Sequence, residues 1–154
     1  RGAPARSLLM RGRLVATAAV VGLLVAPLAA CSDSSVMHMR VGQCILLPEG
    51  SEETTATTLE TTGCTREHDA EVFHIDSMPD GDFPGAVELN KQAESVCIAA
   101  FGDYVGSDYL TSTLDATWMI PTKESWAQKD RSIVCLARPL DHSKLTSSVK
   151  GSGL

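Results

Sequence analysis

Four cysteines spread along the chain constrain its fold more than any other sequence feature. They are Cys44, Cys64, Cys97 and Cys135, and a fifth, Cys31, stands apart near the N-terminus. No two of the four lie within four residues of each other. The paired spacing of zinc sites and the CxxC motif of redox proteins are therefore both absent. An even number of cysteines in an exported domain instead predicts two structural disulfides.

Three pairings of these four cysteines are open. We favour Cys44–Cys64 together with Cys97–Cys135. The first bond would join two neighbouring segments of the N-terminal half, and the second would join a helix to the last strand.

The first thirty residues have the pattern of an export signal. Two arginines precede an apolar run over residues 14–30, and residues 28–31 (Leu-Ala-Ala-Cys) resemble a bacterial lipobox. We therefore predict a signal peptide over residues 1–30 and lipidation of Cys31, which would anchor the protein to the extracytoplasmic face of the cell membrane. Two alternatives stay open: a short transmembrane helix, and an ordinary signal cleavage that leaves Cys31 free.

The charge of the chain excludes one large class of partner. Residues 31–154 carry 9 basic and 19 acidic side chains. A nucleic-acid binder needs basic groups that displace the counterions of the phosphates. We therefore expect no nucleic-acid partner, and the 44% of hydrophobic residues is enough for a folded core.

Hydrophobic periodicity divides the exported part into three regions. A polar tether is expected over residues 31–40, one domain over 41–140 and a flexible tail over 141–154. Within the domain, apolar residues recur every three or four positions over 85–104, which predicts an amphipathic helix. Strand patterns cover residues 41–48, 57–64, 70–78, 114–120 and 131–139.

The order of strands, helix and strands predicts an α+β fold. A small antiparallel sheet would be covered on one face by one main helix and held by two disulfides. In the third strand, alternation would place Phe73 and Ile75 on one face and Val72 and His74 on the other.

Five segments of the exported part follow one another in a recognisable order. They are Val41-Gly-Gln-Cys44, Cys64-Thr-Arg-Glu-His68-Asp69-Ala70-Glu71-Val72, Phe83-Pro84-Gly85, Cys97 with Phe101 and Tyr104, and Pro121 with Trp126 and Asp130-Arg131-Ser-Ile-Val-Cys135. Together they resemble the actinobacterial septum formation domain family in its lipoprotein form, over about residues 41–140. The resemblance implies an extracytoplasmic module, linked by the family's name to the division septum, and it implies no particular reaction. Lys129 stands where the family has a glycine, so the turn there either needs no positive φ or is strained.

The densest group of ionisable side chains is His68, Asp69 and Glu71. The favoured interpretation is structural: His68 bonds backbone at the strand entry, and Asp69 or Glu71 pairs with Arg131. Two alternatives use the same three residues for function. One is a metal-dependent hydrolase, and the other is a carrier that binds a small ligand between helix and sheet.

No set of residues in the sequence forms a recognisable catalytic centre. No nucleophile motif of the GxSxG type and no glycine-rich phosphate loop is present. Trp126 lies in a polar connection, where it either caps the core or contacts a partner. We therefore expect a non-catalytic interaction module of the cell envelope that needs no cofactor and binds the membrane through Cys31 and an envelope or division protein. The candidate binding residues are His68, Asp69, Glu71, Trp126 and Arg131.

Overall fold

The computed structural model describes residues 2, 32–35, 38–48 and 58–154. Apart from residue 2, the predicted signal peptide lies outside these residues, as do the lipobox and Cys31. The helices are α1 (Ala86–Val105) and α2 (Lys123–Ala127), with a 3-10 turn at Tyr109–Thr111. The strands are β1 (Ser32–Ser35), β2 (Cys44–Leu46), β3 (Thr58–Thr62), β4 (Ala70–Ser77), β5 (Leu114–Met119) and β6 (Ser132–Pro139).

The predicted α+β architecture is confirmed. The six strands form one sheet in the order β1-β3-β2-β4-β6-β5, and every neighbouring pair is antiparallel. Helix α1 packs on β4, β5 and β6 because its buried residues recur every three or four positions and so form one stripe. These residues are Leu89, Ala93, Cys97, Phe101 and Val105.

Helix α1 ends at a glycine for two reasons. Gly106 takes the left-handed conformation with φ 82°, and its N–H bonds the Gly102 carbonyl at 2.9 Å. A Cβ at this position would also lie 3.6 Å from the Cα of Gly151. The same residue therefore stops the helix and lets the C-terminal segment approach it closely.

Both favoured disulfides are present. Cys44–Cys64 ties β2 to the turn after β3, with Cα atoms 5.3 Å apart. Cys97–Cys135 ties α1 to β6 across the core, with Cα atoms 5.5 Å apart. The second bond is buried at both ends, as expected from the place of Cys97 on the apolar stripe.

The sheet is apolar on both faces. One cluster lies under α1 and includes Phe73, Phe101 and Ile133. The other lies on the opposite face and includes Ile45, Val72 and Leu136.

A register shift between Val72 and His74 interrupts the alternation of β4. Phe73 therefore belongs to the cluster under α1, whereas Ile75 packs against the opposite cluster. The predicted sharing of one face by Phe73 and Ile75 is wrong for this reason.

The structure differs from the sequence-based boundaries at both ends of the domain. Ser32–Ser35, inside the predicted tether, pair with β3 as strand β1, and Met39 is buried. The prediction of a flexible tail over 141–154 is wrong. Leu145 and Val149 are buried in the cluster under α1, so the C-terminal segment is part of the packed domain.

Among the described residues, no helix combines the length and the apolar character needed to cross a membrane.

The loop lengths predict how much each disulfide stabilises the fold. Replacing Cys97 and Cys135 together by alanine should lower the free energy of unfolding by about 4 kcal/mol, and replacing Cys44 and Cys64 by about 3 kcal/mol, because the bonds close loops of 38 and 20 residues. Urea unfolding of the oxidised full chain and of the two double variants measures both losses. A loss below about 1 kcal/mol for the buried pair would contradict the role assigned to it.

Candidate functional site

Glu71 is a fully buried carboxylate on β4 that faces helix α1. Its Oε1 accepts hydrogen bonds from the Tyr104 hydroxyl at 2.6 Å and from the Ser148 hydroxyl at 2.7 Å. Its Oε2 accepts the backbone N–H of Val149 at 2.7 Å. Three donors compensate the burial of the carboxylate, and they join the sheet, α1 and the C-terminal segment at one point.

The contact with Glu71 changes the acidity of Tyr104. Burial first, and then the neighbouring Glu71 carboxylate, raise the pKa of the Tyr104 hydroxyl well above its usual value. The hydroxyl therefore stays protonated and donates to Glu71 at neutral pH. Since the folded-state pKa is raised, this contribution to stability is complete below about pH 10 and is lost as the pH rises above it.

His68 holds the same C-terminal segment through its backbone. Its N–H bonds the Leu145 carbonyl at 3.0 Å, and its carbonyl accepts the Leu145 N–H at 2.9 Å. The buried ring places Nδ1 2.7 Å from the Arg66 carbonyl, which requires that Nδ1 carries the proton. Nε2 is buried and has no hydrogen-bond partner among the described residues. The predicted bond from His68 to backbone at the strand entry is thus present.

Asp69 points away from Glu71 and makes separate contacts. Its Oδ2 accepts the backbone N–H of Leu47 at 2.9 Å, and its Oδ1 lies 2.6 Å from Lys144 Nζ. This ion pair is a second attachment of the C-terminal segment to the same stretch of chain. Its Lys144 end is half exposed, so water weakens the attraction.

The predicted pairing of Asp69 or Glu71 with Arg131 is wrong. Glu71 lies opposite Ala137 on β6, whereas Arg131 precedes the first residue of that strand. Six residues of extended chain separate the two positions, roughly 20 Å. Arg131 instead lies with its Nε 3.2 Å from Asp80 Oδ1, an ion pair by distance that is not aligned as a hydrogen bond.

The proposed metal set of His68, Asp69 and Glu71 is not brought together. Donor atoms of His68, Glu71 and Cys44 do lie within 4.8 Å of one another. The Cys44 sulfur, however, is bonded to Cys64 and offers no thiolate. Two ligands that remain, one of them already accepting three hydrogen bonds, are a poor fit to a tetrahedral ion.

Trp126 and Arg131 form a second cluster at the turn between α2 and β6. The Arg131 guanidinium carbon lies 3.9 Å from the centre of the Trp126 ring, a cation–π contact. Its Nη1 donates to the carbonyls of Trp126 and Asp130, both at 2.8 Å. Trp126 Nε1 donates to the Gly81 carbonyl at 2.9 Å, and the ring is 6% exposed. Trp126 is therefore buried against Arg131 and Phe83 and is not an exposed contact aromatic.

An open cleft of about 510 Å³ lies beside this cluster. Arg131, Lys129 and Asp80 supply charges of both signs to its wall. The space is not the pocket between helix and sheet that a ligand carrier requires, because buried side chains such as Phe73 and Phe101 fill that interface. The full lining is Ser77, Met78, Asp80, Lys129, Asp130, Arg131 and Ser132.

Sequence reasoning missed the C-terminal residues that contact His68, Asp69 and Glu71. Lys144, Leu145, Ser148 and Val149 lie in a polar stretch without a strand or helix pattern. The spacing of the two apolar residues in that stretch is the only signal that could have found them. The sequence places Tyr104 on the apolar stripe of α1 and in the segment that resembles the family, but neither pattern predicts its bond to Glu71.

The donors around Glu71 predict the effect of a neutral replacement. Glu71→Gln should lower the free energy of unfolding by about 2–3 kcal/mol, because one amide N–H₂ would face a donor and the charge-assisted bonds would be lost. Urea unfolding measures the loss, and limited proteolysis should cut the C-terminal segment faster. Glu67→Gln, an exposed change three residues upstream of Ala70, should cost less than about 0.5 kcal/mol. Equal losses in the two variants would contradict this role of Glu71.

The turn before β6 predicts a stabilising substitution. Lys129 has φ 70°, a left-handed conformation that costs a residue with a Cβ about 1–2 kcal/mol. The sequence left open whether this turn avoids a positive φ or is strained, and the φ of Lys129 shows that it is strained. Lys129→Gly should raise the free energy of unfolding by up to about 1 kcal/mol after the extra entropy of unfolded glycine is subtracted. Lys129→Ala keeps the Cβ and serves as the control, and a matching gain in both variants would show that the charge matters and not the backbone.

Comparison with known proteins gives one match. A model of the family described as septum formation matches residues 18–135, which is most of the chain. No curated protein and no solved structure matches it.

Proposed function

Since the chain belongs to the septum formation family, we propose that it is a non-catalytic interaction module of the cell envelope that acts at the division septum. A lipid on Cys31 would hold it at the extracytoplasmic face of the cell membrane. One observation supports the absence of catalysis in this proposal. The side chains of His68, Asp69 and Glu71 make contacts that stabilise the fold.

Each of these three groups is occupied by a contact that builds the domain. Asp69 binds Leu47 and Lys144, and the three donors on Glu71 come from α1 and the C-terminal segment. A general acid or base has to reach the proton that it transfers. A buried carboxylate that is enclosed by its own donors does not offer that access.

Two features support an extracytoplasmic place. The two disulfides are typical of proteins that fold in an oxidising compartment. The N-terminal sequence has the order of a basic region, an apolar run and a lipobox. A lipid on Cys31 would begin the mature chain one residue before β1, so the sheet would lie close to the membrane.

The acidity of the exported part supports a protein partner with basic groups. Opposite charges speed association and exclude wrong partners more than they raise affinity. The partner is therefore expected to be an envelope or division protein with a positively charged surface.

Imaging of dividing cells tests the septal role. A fluorophore that folds outside the cytoplasm would be joined through a flexible linker after Leu154, whose side chain is partly exposed. We expect the fusion to concentrate at mid-cell because the family is linked to the septum. An even outline of the cell without enrichment at mid-cell would contradict the septal role.

A change at the predicted anchor tests the lipid attachment in the same cells. Cys31→Ala should release the protein from the membrane fraction, because the acylated sulfur supplies the membrane affinity. Ser34→Ala, a change of similar size just after the lipobox, is the matched control and should stay in the membrane fraction. Equal membrane retention of both variants would contradict the anchor.

A further inference from the structure

Strand β5 is one edge of the sheet, and no other strand among the described residues pairs with its outer side. It pairs with β6 over six consecutive residues without a register shift. Its sequence, Leu-Asp-Ala-Thr-Trp-Met, contains no lysine, proline or glycine. Soluble proteins usually protect a regular edge with such residues or with a bulge, because its free backbone groups can pair with another chain.

The direction of the free backbone groups follows from one hydrogen bond. The Leu140 N–H donates to the Thr113 carbonyl at 3.1 Å, so these two residues form a hydrogen-bonded pair of the antiparallel ladder. Since such pairs alternate along the strands, the backbones of Asp115 and Thr117 face β6, and those of Ala116 and Trp118 face outward. The N–H groups of Ala116 and Trp118 bond no described residue, whereas the N–H of Leu114, at the start of the strand, donates to Ser112 Oγ.

Side-chain contacts hold this edge in place for an incoming strand. Trp118 Nε1 donates to Asn90 Oδ1 on α1 at 2.9 Å. The Tyr109 hydroxyl donates to Asp115 Oδ1 at 3.0 Å. A strand that is fixed in advance loses little conformational entropy when it pairs.

The surroundings of β5 indicate what kind of segment fits it. Asp115, at the start of the strand, accepts the Tyr109 hydroxyl, and the pKa of Tyr109 is raised by burial first, then by this bond and by the charges of Asp115 and Glu94. Asp108 lies in the same turn and caps it. Leu110, next to these acids, is 88% exposed. The combination offers negative charge and one apolar contact beside free backbone groups.

We propose that the outer edge of β5 receives an extended, positively charged segment of a partner protein, which adds a seventh strand to the sheet. This inference rests on the proposed role as an interaction module and names the kind of partner, but it does not depend on the septal location. A second copy of the chain is the weaker occupant, because each copy carries a net charge of −6 and the two would repel.

Hydrogen exchange at single residues of the full chain tests the proposal. In the free protein, the amides of Ala116 and Trp118 should exchange fast, and those of Asp115 and Thr117 slowly. The probe is the capped hexapeptide Lys-Val-Lys-Val-Lys-Val, which should slow exchange at Ala116 and Trp118 at least about tenfold. The capped peptide Glu-Val-Glu-Val-Glu-Val is the control and should have no such effect.

Two variants test whether the peptide binds through the edge. Ala116→Pro removes an outward N–H and keeps the inward bonds of its neighbours. Thr117→Lys adds a repelling charge without touching the backbone, and Gln128→Lys places the same charge on an exposed site elsewhere. Both edge variants should weaken the binding of the lysine peptide at least about tenfold, and Gln128→Lys should leave it within about twofold.

Several results would overturn the proposal. Slow exchange of Ala116 and Trp118 in the dilute free chain would show that the edge is already covered. Protection that rises with protein concentration alone would assign the edge to a second copy. Equal protection by the lysine and glutamate peptides would show that the edge does not select a positively charged segment. Equal binding of the lysine peptide by Thr117→Lys and Gln128→Lys would lead to the same conclusion. None of these results depends on where the protein lies in the cell, so they are distinct from a failure of the septal role.

Discussion

The hydrogen bonds of the buried Glu71 carboxylate join the sheet to helix α1 and to the C-terminal segment. Removing a charged group from water is costly unless hydrogen bonds replace the lost hydration. Here the replacements come from Tyr104 on α1 and from Ser148 and Val149 in the C-terminal segment. The strand, the helix and the end of the chain must therefore all be in place before Glu71 is satisfied. This requirement explains why Leu145 and Val149, in a polar stretch without helix or strand, are buried in the cluster beneath α1.

The same interaction decides how the most chemically suggestive part of the sequence is used. A histidine, an aspartate and a glutamate within four residues have the composition of an active site, but Asp69 points away from the other two. Asp69 turns toward Lys144, and Glu71 turns toward α1. His68 fixes Leu145 through its backbone. With these groups engaged inside the fold, the groups that the described residues leave open to a partner lie at the perimeter of the domain, at the edge of β5 and in the cleft beside Arg131.

The sequence predicts those features that depend on local pattern or on pairs of one residue type. Helix α1 follows from its apolar stripe, strands β2 to β6 follow from their residue patterns, and the two disulfides follow from four cysteines in an exported domain. It does not predict partners that depend on register. A bulge of one residue in β4 moves Ile75 to the other face, and the antiparallel pairing of β4 with β6 keeps Arg131 far from Glu71. The C-terminal segment escaped prediction because its attachment uses two apolar side chains and scattered polar contacts with His68, Asp69 and Glu71, which produce no periodic signal.

We infer that His68 and Glu71 stabilise the fold and do not form a metal site. Titration calorimetry with zinc chloride tests this inference on the oxidised full chain, after a chelator has removed bound metal and has itself been removed. Wild type and His68→Ala should give the same weak heats, because the Cys44 sulfur is in a disulfide and the Glu71 oxygens are occupied. His74→Ala removes a partly exposed histidine on β4. It controls for adventitious binding at the surface. Saturable binding of one zinc per chain that is lost in His68→Ala and kept in His74→Ala would contradict the account.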